Sequence, residues 1–309
     1  MSGLIKPIPE PRPGLLLGAL AVVFWSFGSS LIFLGAREVG TWRFVAVASL
    51  TGGVLQMVSR RVGRGELRTA LCLPWRLWVT PVLCFVLYGL AWPWALAICG
   101  PQQVYGVSLI NYLWPVLTVL FSVAWVPGVR LRPRTVLALV LALAGLAAAN
   151  LRHLHQLLPA AGEPGFSVLR RLLPYALALV AAVTWAVYSA LLARWREWAG
   201  RYITSPVGFV LIGLIASGVA GFAPASPASL LSTGTGLTVL YGVGPLAAGY
   251  LLWELALARG SIQALSLIAA ATPVLSTLLL CCFLQTWPGP ELVLAAFLVS
   301  GGVALSLGE

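Results

Sequence analysis

The sequence predicts an all-α membrane protein: ten transmembrane helices arranged as two inverted five-helix repeats, with the N- and C-termini both in the cytoplasm. Three observations carry this expectation. The composition lies outside the range of soluble domains, ten continuously apolar stretches punctuate the chain, and the second half of the chain repeats the pattern of the first.

Of the 309 residues, 60% are hydrophobic and 9% charged, with a mean hydropathy of +0.96, so water is not the main solvent of this chain. Residues 14–34 contain no charge and would span roughly 30 Å as a helix, about one hydrocarbon thickness. Similar stretches follow at about 42–57, 77–98, 103–124 and 135–150, and a second series at about 172–193, 204–222, 237–258, 262–284 and 292–307. A transmembrane β-barrel would instead need segments of about ten residues with alternating polarity. The first stretch is too long for a signal-peptide apolar region, and Gly35-Ala36-Arg37-Glu38 offers no small-x-small cleavage site, which predicts a retained helix.

The net charge of +11 does not imply a nucleic-acid partner, because Lys and Arg are distributed among short loops rather than gathered on one surface. Their distribution instead orients the chain. With the N-terminus inside, inner segments hold 14 of the 19 Lys and Arg residues and outer segments the other 5, which satisfies the positive-inside rule.

Several chemistries are disfavoured by residue inventory. Cys72, Cys84, Cys99, Cys281 and Cys282 form no CxxC pair and fall in or beside apolar stretches, where Cys serves as a small apolar residue. His153 and His155 lie together in the central connection, and the chain has no Asp, so neither a metal-activated water nor a conventional nucleophile and base can be assembled within the membrane. No cofactor is implied. A channel would require a filter or a charged ring, and neither is evident.

The internal repeat decides the architecture. Ser108-Leu109-Ile110-Asn111-Tyr112-Leu113-Trp114-Pro115-Val116-Leu117 aligns with Ser266-Leu267-Ile268-Ala269-Ala270-Ala271-Thr272-Pro273-Val274-Leu275, sharing SLI and PVL at identical spacing. Trp92 and Ala95-Leu96-Ala97 precede the first copy as Trp253 and Ala256-Leu257-Ala258 precede the second, and Pro127-Gly128 and Pro288-Gly289 follow them. Trp25 and Ser29 correspond to Trp185 and Ser189. The copies lie about 160 residues apart, which is five spans, and an odd number inverts the second half in the membrane. Residues 1–150 form the first repeat, 151–171 a linker containing Pro159, Gly162, Pro164 and Gly165, and 172–309 the second repeat. Inverted repeats are the mark of secondary transporters, with a substrate site near the midplane between the halves.

Rings at membrane interfaces, such as Trp42, Trp75, Trp195, Trp198 and Trp287, need no functional explanation. Trp25, Tyr88, Tyr112, Trp114, Trp185, Tyr188 and Tyr250 fall near mid-span, where a buried ring needs a partner for its N–H or O–H or else a wet cavity. Trp25, Tyr88, Asn111, Tyr112, Trp185, Tyr188 and Tyr250 are therefore the candidate substrate-binding residues. Packing is the competing reading for each ring, and helix bridging for Asn111. Pro115 and Pro273 interrupt helices and are candidate hinges, with static bends the alternative. Glu254 is the only carboxylate well inside a span; its nearness to the inner end, marked by Arg259, suits a gating or structural role better than ion coupling.

On these residues the chain resembles the EamA-type branch of the drug/metabolite transporter superfamily, through the ten spans, the SLI and PVL repeats and the Pro-Gly turns before glycine-containing final spans. Within that branch its tryptophan-rich spans are most similar to the YddG-type aromatic amino-acid exporters of bacterial inner membranes. Trp125-Val126 and Gln285-Thr286 occupy positions where the family often carries a Glu. The resemblance implies a multi-pass exporter of aromatic and other hydrophobic amino acids, working by alternating access, whose partners are a small-molecule substrate and the lipid bilayer. Export of other small metabolites or drugs is the alternative within the class, and a membrane-embedded enzyme or a receptor the alternative outside it. The oligomeric state is left open.

Overall fold

A computed structural model of the chain describes residues 11–60, 74–101, 103–126, 130, 133–150, 165–195, 204–223, 232–259, 268–269, 271–287 and 289–307. Among them every regular element is helical and no strand occurs. In order these are α1 (Pro11–Ser26), α2 (Gly28–Val39), α3 (Thr41–Ser59), α4 (Trp75–Ile98), α5 (Val104–Asn111), α6 (Trp114–Trp125), α7 (Pro133–Asn150), α8 (Gly165–Arg194), α9 (Thr204–Phe222) and α10 (Thr233–Tyr241). A π-helical segment (Gly242–Gly249) leads into α11 (Tyr250–Arg259), followed by α12 (Thr272–Leu284) and α13 (Pro290–Leu307).

Six helical stretches among the described residues are long and apolar enough to cross a membrane: Pro13–Val39, Val79–Ile98, Val104–Trp125, Ser167–Leu191, Thr204–Phe222 and Thr233–Trp253, with Thr272–Leu284 and Val293–Gly302 shorter apolar helices. Leu16, Leu214 and Phe297 stand 58–63% exposed on them. Apolar side chains so exposed would be a liability in water, whereas lipid solvates them. Inward, Leu31, Ile32, Phe33, Phe44, Phe85, Leu96 and Ile212 are fully buried. Gly40 is the one-residue joint between α2 and α3; its φ of +87° is a left-handed conformation that residues with a Cβ rarely adopt.

Six helix pairs are the most extensive: α7 along α13, α3 along α9, α4 along α8, α6 along α8, α2 along α10, and α1 along α11. A polar node reinforces one of them. Gln56 is fully buried on α3; its Nε2 donates to the Leu246 carbonyl in the π-helical segment (2.7 Å), while its Oε1 accepts from Ser205 Oγ on α9 (2.9 Å) and from Arg60 (3.1 Å). A π-helix leaves carbonyls outside the regular ladder, and a buried side-chain amide at this position satisfies one of them.

Helix α8 begins at Gly165, inside the stretch read from sequence as linker. Past Gly165 the run 166–173 contains no Pro or Gly, so the helix starts before the apolar span itself. Residues 151–164, with His153 and His155, lie outside the described residues.

Candidate functional site

Four helical interruptions meet at one place. The first stretch breaks at Phe27, where Phe27 N–H turns back to the Phe24 carbonyl three residues earlier (3.3 Å). Helix α5 ends at Asn111 and α6 begins at Trp114; Pro115 has no N–H to give the Asn111 carbonyl, and Leu113 N–H bonds Ile110 instead (3.1 Å). The segment around Pro245 is π-helical. Ahead of Pro273, Ala271 N–H bonds the Ile268 carbonyl (3.0 Å) and α12 starts at Thr272.

Residues from all four interruptions line one partly open cavity of about 60 Å³. Its walls are Trp25, Gly28 and Ser29; Asn111, Tyr112 and Trp114; Tyr241, Pro245, Leu246 and Tyr250; Thr272; and, from unbroken helices, Tyr88, Trp92 and Trp185. No Asp, Glu, Lys, Arg or His stands among these lining residues. Non-regular backbone at membrane depth is tolerated where it faces such a cavity rather than lipid.

The aromatic wall is organised around Trp185. Its ring lies 4.7 Å from Tyr88, 5.2 Å from Tyr188, 5.6 Å edge-on to Tyr250, 6.0 Å from Phe85 and 6.1 Å edge-on to Trp114, measured between centroids. Tyr250 in turn meets Trp25 at 5.4 Å and Phe209 at 5.0 Å. Tilted and edge-to-face pairs at these separations match the quadrupoles of the rings. Gly249 is required here: a Cβ at that position would stand 2.8 Å from Trp25 Nε1.

The lining also carries polar groups. Tyr112 Oη and Ser29 Oγ lie 3.4 Å apart, and Ser276 donates to Ser29 at 3.3 Å, joining α5/α6, α2 and α12. Asn111 and Tyr250 are polar neighbours of the Tyr88 hydroxyl. Two buried polar atoms of the lining have no hydrogen-bond partner, Trp25 Nε1, a donor, and Asn111 Oδ1, an acceptor. Among the described residues no three His, Cys, Asp or Glu side chains gather where a metal could bind.

Of the seven candidate substrate-binding residues, the fold brings Trp25, Tyr88, Asn111, Tyr112, Trp185 and Tyr250 onto this cavity, and places Tyr188 one layer behind, against Phe85 and Trp185. Pro273 is buried at the start of α12, next to the lining residue Thr272. The side chains of Pro115 and Glu254 lie outside the described residues, although both positions are helical. Sequence reasoning missed Tyr241 and Leu246 of the lining and the supporting rings Phe85 and Phe209. Tyr241 carried a usable signal, since it falls in the same apolar stretch as Tyr250.

A helical membrane protein whose broken helices surround an uncharged, aromatic-walled cavity has the build of a small-molecule transporter. Residues 12–151 match the model of the EamA-like transporter family. The chain is 30% identical, over 94% of its length and 96% of the relative's, to a protein of Ancylobacter novellus named aromatic amino acid exporter YddG. It is 26% identical to the protein of that name in Salmonella typhimurium, over 90% of this chain and 93% of the relative, and 25% identical to that of Escherichia coli, over 94% and 95%. A solved crystal structure superimposes with a TM-score of 0.65 at 27% identity, covering 96% of each chain. The chain belongs to the EamA-like transporter family and is a multi-pass membrane transporter of the exporter type rather than an enzyme.

Proposed function

We infer that this protein exports aromatic, and other hydrophobic, amino acids from a bacterial cytoplasm by alternating access through the central cavity. The observation that carries the reading is the convergence of four helix interruptions on one aromatic-walled, uncharged cavity. Rings in this arrangement offer an aromatic side chain both a face and an edge, and the absence of fixed charge suits a substrate of no net charge. The names of the relatives point to the same substrate class.

The reading places ten crossings in the bacterial inner membrane as two inverted repeats, residues 1–150 and 172–309 joined by a linker, with both termini cytoplasmic. Helix pairing supports it: exchanging the halves turns the α4/α8 pair into the α11/α1 pair and leaves α3/α9 and α7/α13 paired with themselves. Pro115 and Pro273, at equivalent breaks, serve as hinges. Glu254 has a gating or structural role, and flux follows the substrate gradient without a coupled ion, since no lining residue is a carboxylate, His, Lys or Arg.

Counterflow in proteoliposomes tests this. Vesicles loaded with unlabelled tryptophan are expected to accumulate labelled tryptophan transiently, with phenylalanine and tyrosine competing and aspartate and lysine not, and with no change on collapsing the proton gradient. Counterflow that required a proton gradient would overturn the uncoupled reading, and absence of tryptophan flux the substrate reading.

A further inference from the structure

Every polar atom buried in a membrane protein needs a partner, because lipid supplies none. The wall of the cavity violates this at Trp25 Nε1 and Asn111 Oδ1. The two atoms differ in kind and in location. The indole N–H on α1 can only donate, while the amide oxygen on α5 can only accept. Asn111 is 3% exposed and sits at the end of α5, a polar neighbour of the Tyr88 hydroxyl. Trp25 sits at the end of α1, its ring fixed between Tyr250 and Trp253 at 5.4 and 5.2 Å and its nitrogen edge against Gly249.

An α-amino acid carries complementary groups on one carbon: an ammonium that only donates and a carboxylate that only accepts. We propose that the cavity reads the amino-acid backbone through this pair, Asn111 Oδ1 accepting from the α-ammonium and Trp25 Nε1 donating to the α-carboxylate, while the Trp185 wall holds the side chain. Each handle completes a hydrogen bond the empty protein lacks, so a substrate gains the full benefit of pairing an atom already stripped of water. Neutral handles also leave the occupied cavity without net charge when the ligand is a zwitterion. A ligand lacking the ammonium leaves Asn111 unpaired, and one lacking the carboxylate leaves Trp25 unpaired, so selectivity for the backbone resides at two separable residues. This assignment rests on the reading of the cavity as the amino-acid site.

The test crosses ligand analogues with variants. Inhibition of labelled-tryptophan counterflow is measured for unlabelled tryptophan, indole-3-propionate, which lacks the α-nitrogen and its donors, and tryptamine, which lacks the carboxylate. In the unaltered protein each analogue is expected to compete roughly 10- to 100-fold more weakly than tryptophan, the weight of one charge-assisted hydrogen bond. Trp25→Phe keeps a ring but removes the N–H; it should weaken tryptophan while bringing tryptamine level with it, and leave the indole-3-propionate penalty in place. Asn111→Leu should do the reverse, levelling indole-3-propionate alone, and Asn111→Asp, which keeps an acceptor, should restore the indole-3-propionate penalty. Equal weakening of all three ligands by either variant, or an unaltered protein that takes the analogues as readily as tryptophan, overturns the proposal while leaving the aromatic-site reading intact. No tryptophan flux in the unaltered protein overturns both.

Discussion

Trp185→Ala lowers kcat/KM for tryptophan by about two orders of magnitude, while Trp185→Phe lowers it only a few-fold. The expectation follows from the position of the ring. Trp185 touches five others, Phe85, Tyr88, Trp114, Tyr188 and Tyr250, and it lines the cavity. Truncation removes one stacking surface for the substrate and frees Tyr88 and Tyr250 from the geometry it imposes. At about 0.5–1.5 kcal/mol for each aromatic pair, three such losses sum to about 3 kcal/mol, or roughly a hundredfold. Because Trp185 is only 8% exposed, Ala also costs about 3 kcal/mol or more in packing. Flux is therefore compared at equal amounts of monodisperse protein, and Trp185→Phe, which retains a ring, separates site from scaffold. Trp287, 94% exposed, is the control: Trp287→Ala should transport as the unaltered protein does. Equal losses in Trp185→Ala and Trp287→Ala would make the Trp185 cluster ordinary packing.

Pro115→Ala moves stability and transport in opposite directions. The break between α5 and α6 falls where residue 115 has no N–H for the Asn111 carbonyl. Alanine supplies the donor and the better helix former, a change worth up to about 3 kcal/mol in a helix interior. The repaired helix would carry Asn111 and Tyr112 out of the register in which they line the cavity and would remove a joint on which rocking depends. Thermal unfolding of the purified variant should shift upward, while tryptophan counterflow falls more than tenfold. A stabilised variant with unchanged flux would show the bend to be static, and a destabilised one would show that the turn has other supports.

The membrane class was legible in the sequence because hydropathy is a local property: each apolar stretch announces itself without reference to the rest of the chain. Most of the candidate site was legible for a related reason. A ring or amide at mid-span must find a polar partner, and this alone places Trp25, Tyr88, Asn111, Tyr112, Trp185 and Tyr250. The positions missed depend on contacts across the fold. Phe85 and Phe209 have no polar atom that demands explanation, so nothing marked them until they were found 4.9 Å apart behind Tyr250. Leu246 enters the lining from the π-helical segment, and its carbonyl is bonded by Gln56, 190 residues away in sequence. Pro245 lies inside that segment, and a proline within a helix marks a disturbance but not its kind. Trp114, recognised as a mid-span ring, gains its place in the wall from its edge-on contact with Trp185. The early start of α8 at Gly165 escaped detection because hydropathy reports where lipid begins, not where the helix does.

The central claim is that one cavity, bounded by the four helix breaks, is reached by substrate from each side of the membrane in turn. Ser29 is buried on its wall, bonded to Tyr112 and Ser276, and is small enough to become Cys with little disturbance. The measurement is modification of Ser29→Cys, in a chain whose five native cysteines have been replaced, by a membrane-impermeant thiol reagent applied to one face or the other of oriented vesicles, with and without tryptophan. The account predicts labelling from both faces, slowed from both by tryptophan at the concentrations that half-saturate counterflow. Labelling from a single face, or labelling indifferent to tryptophan in vesicles that still transport it, would contradict the account.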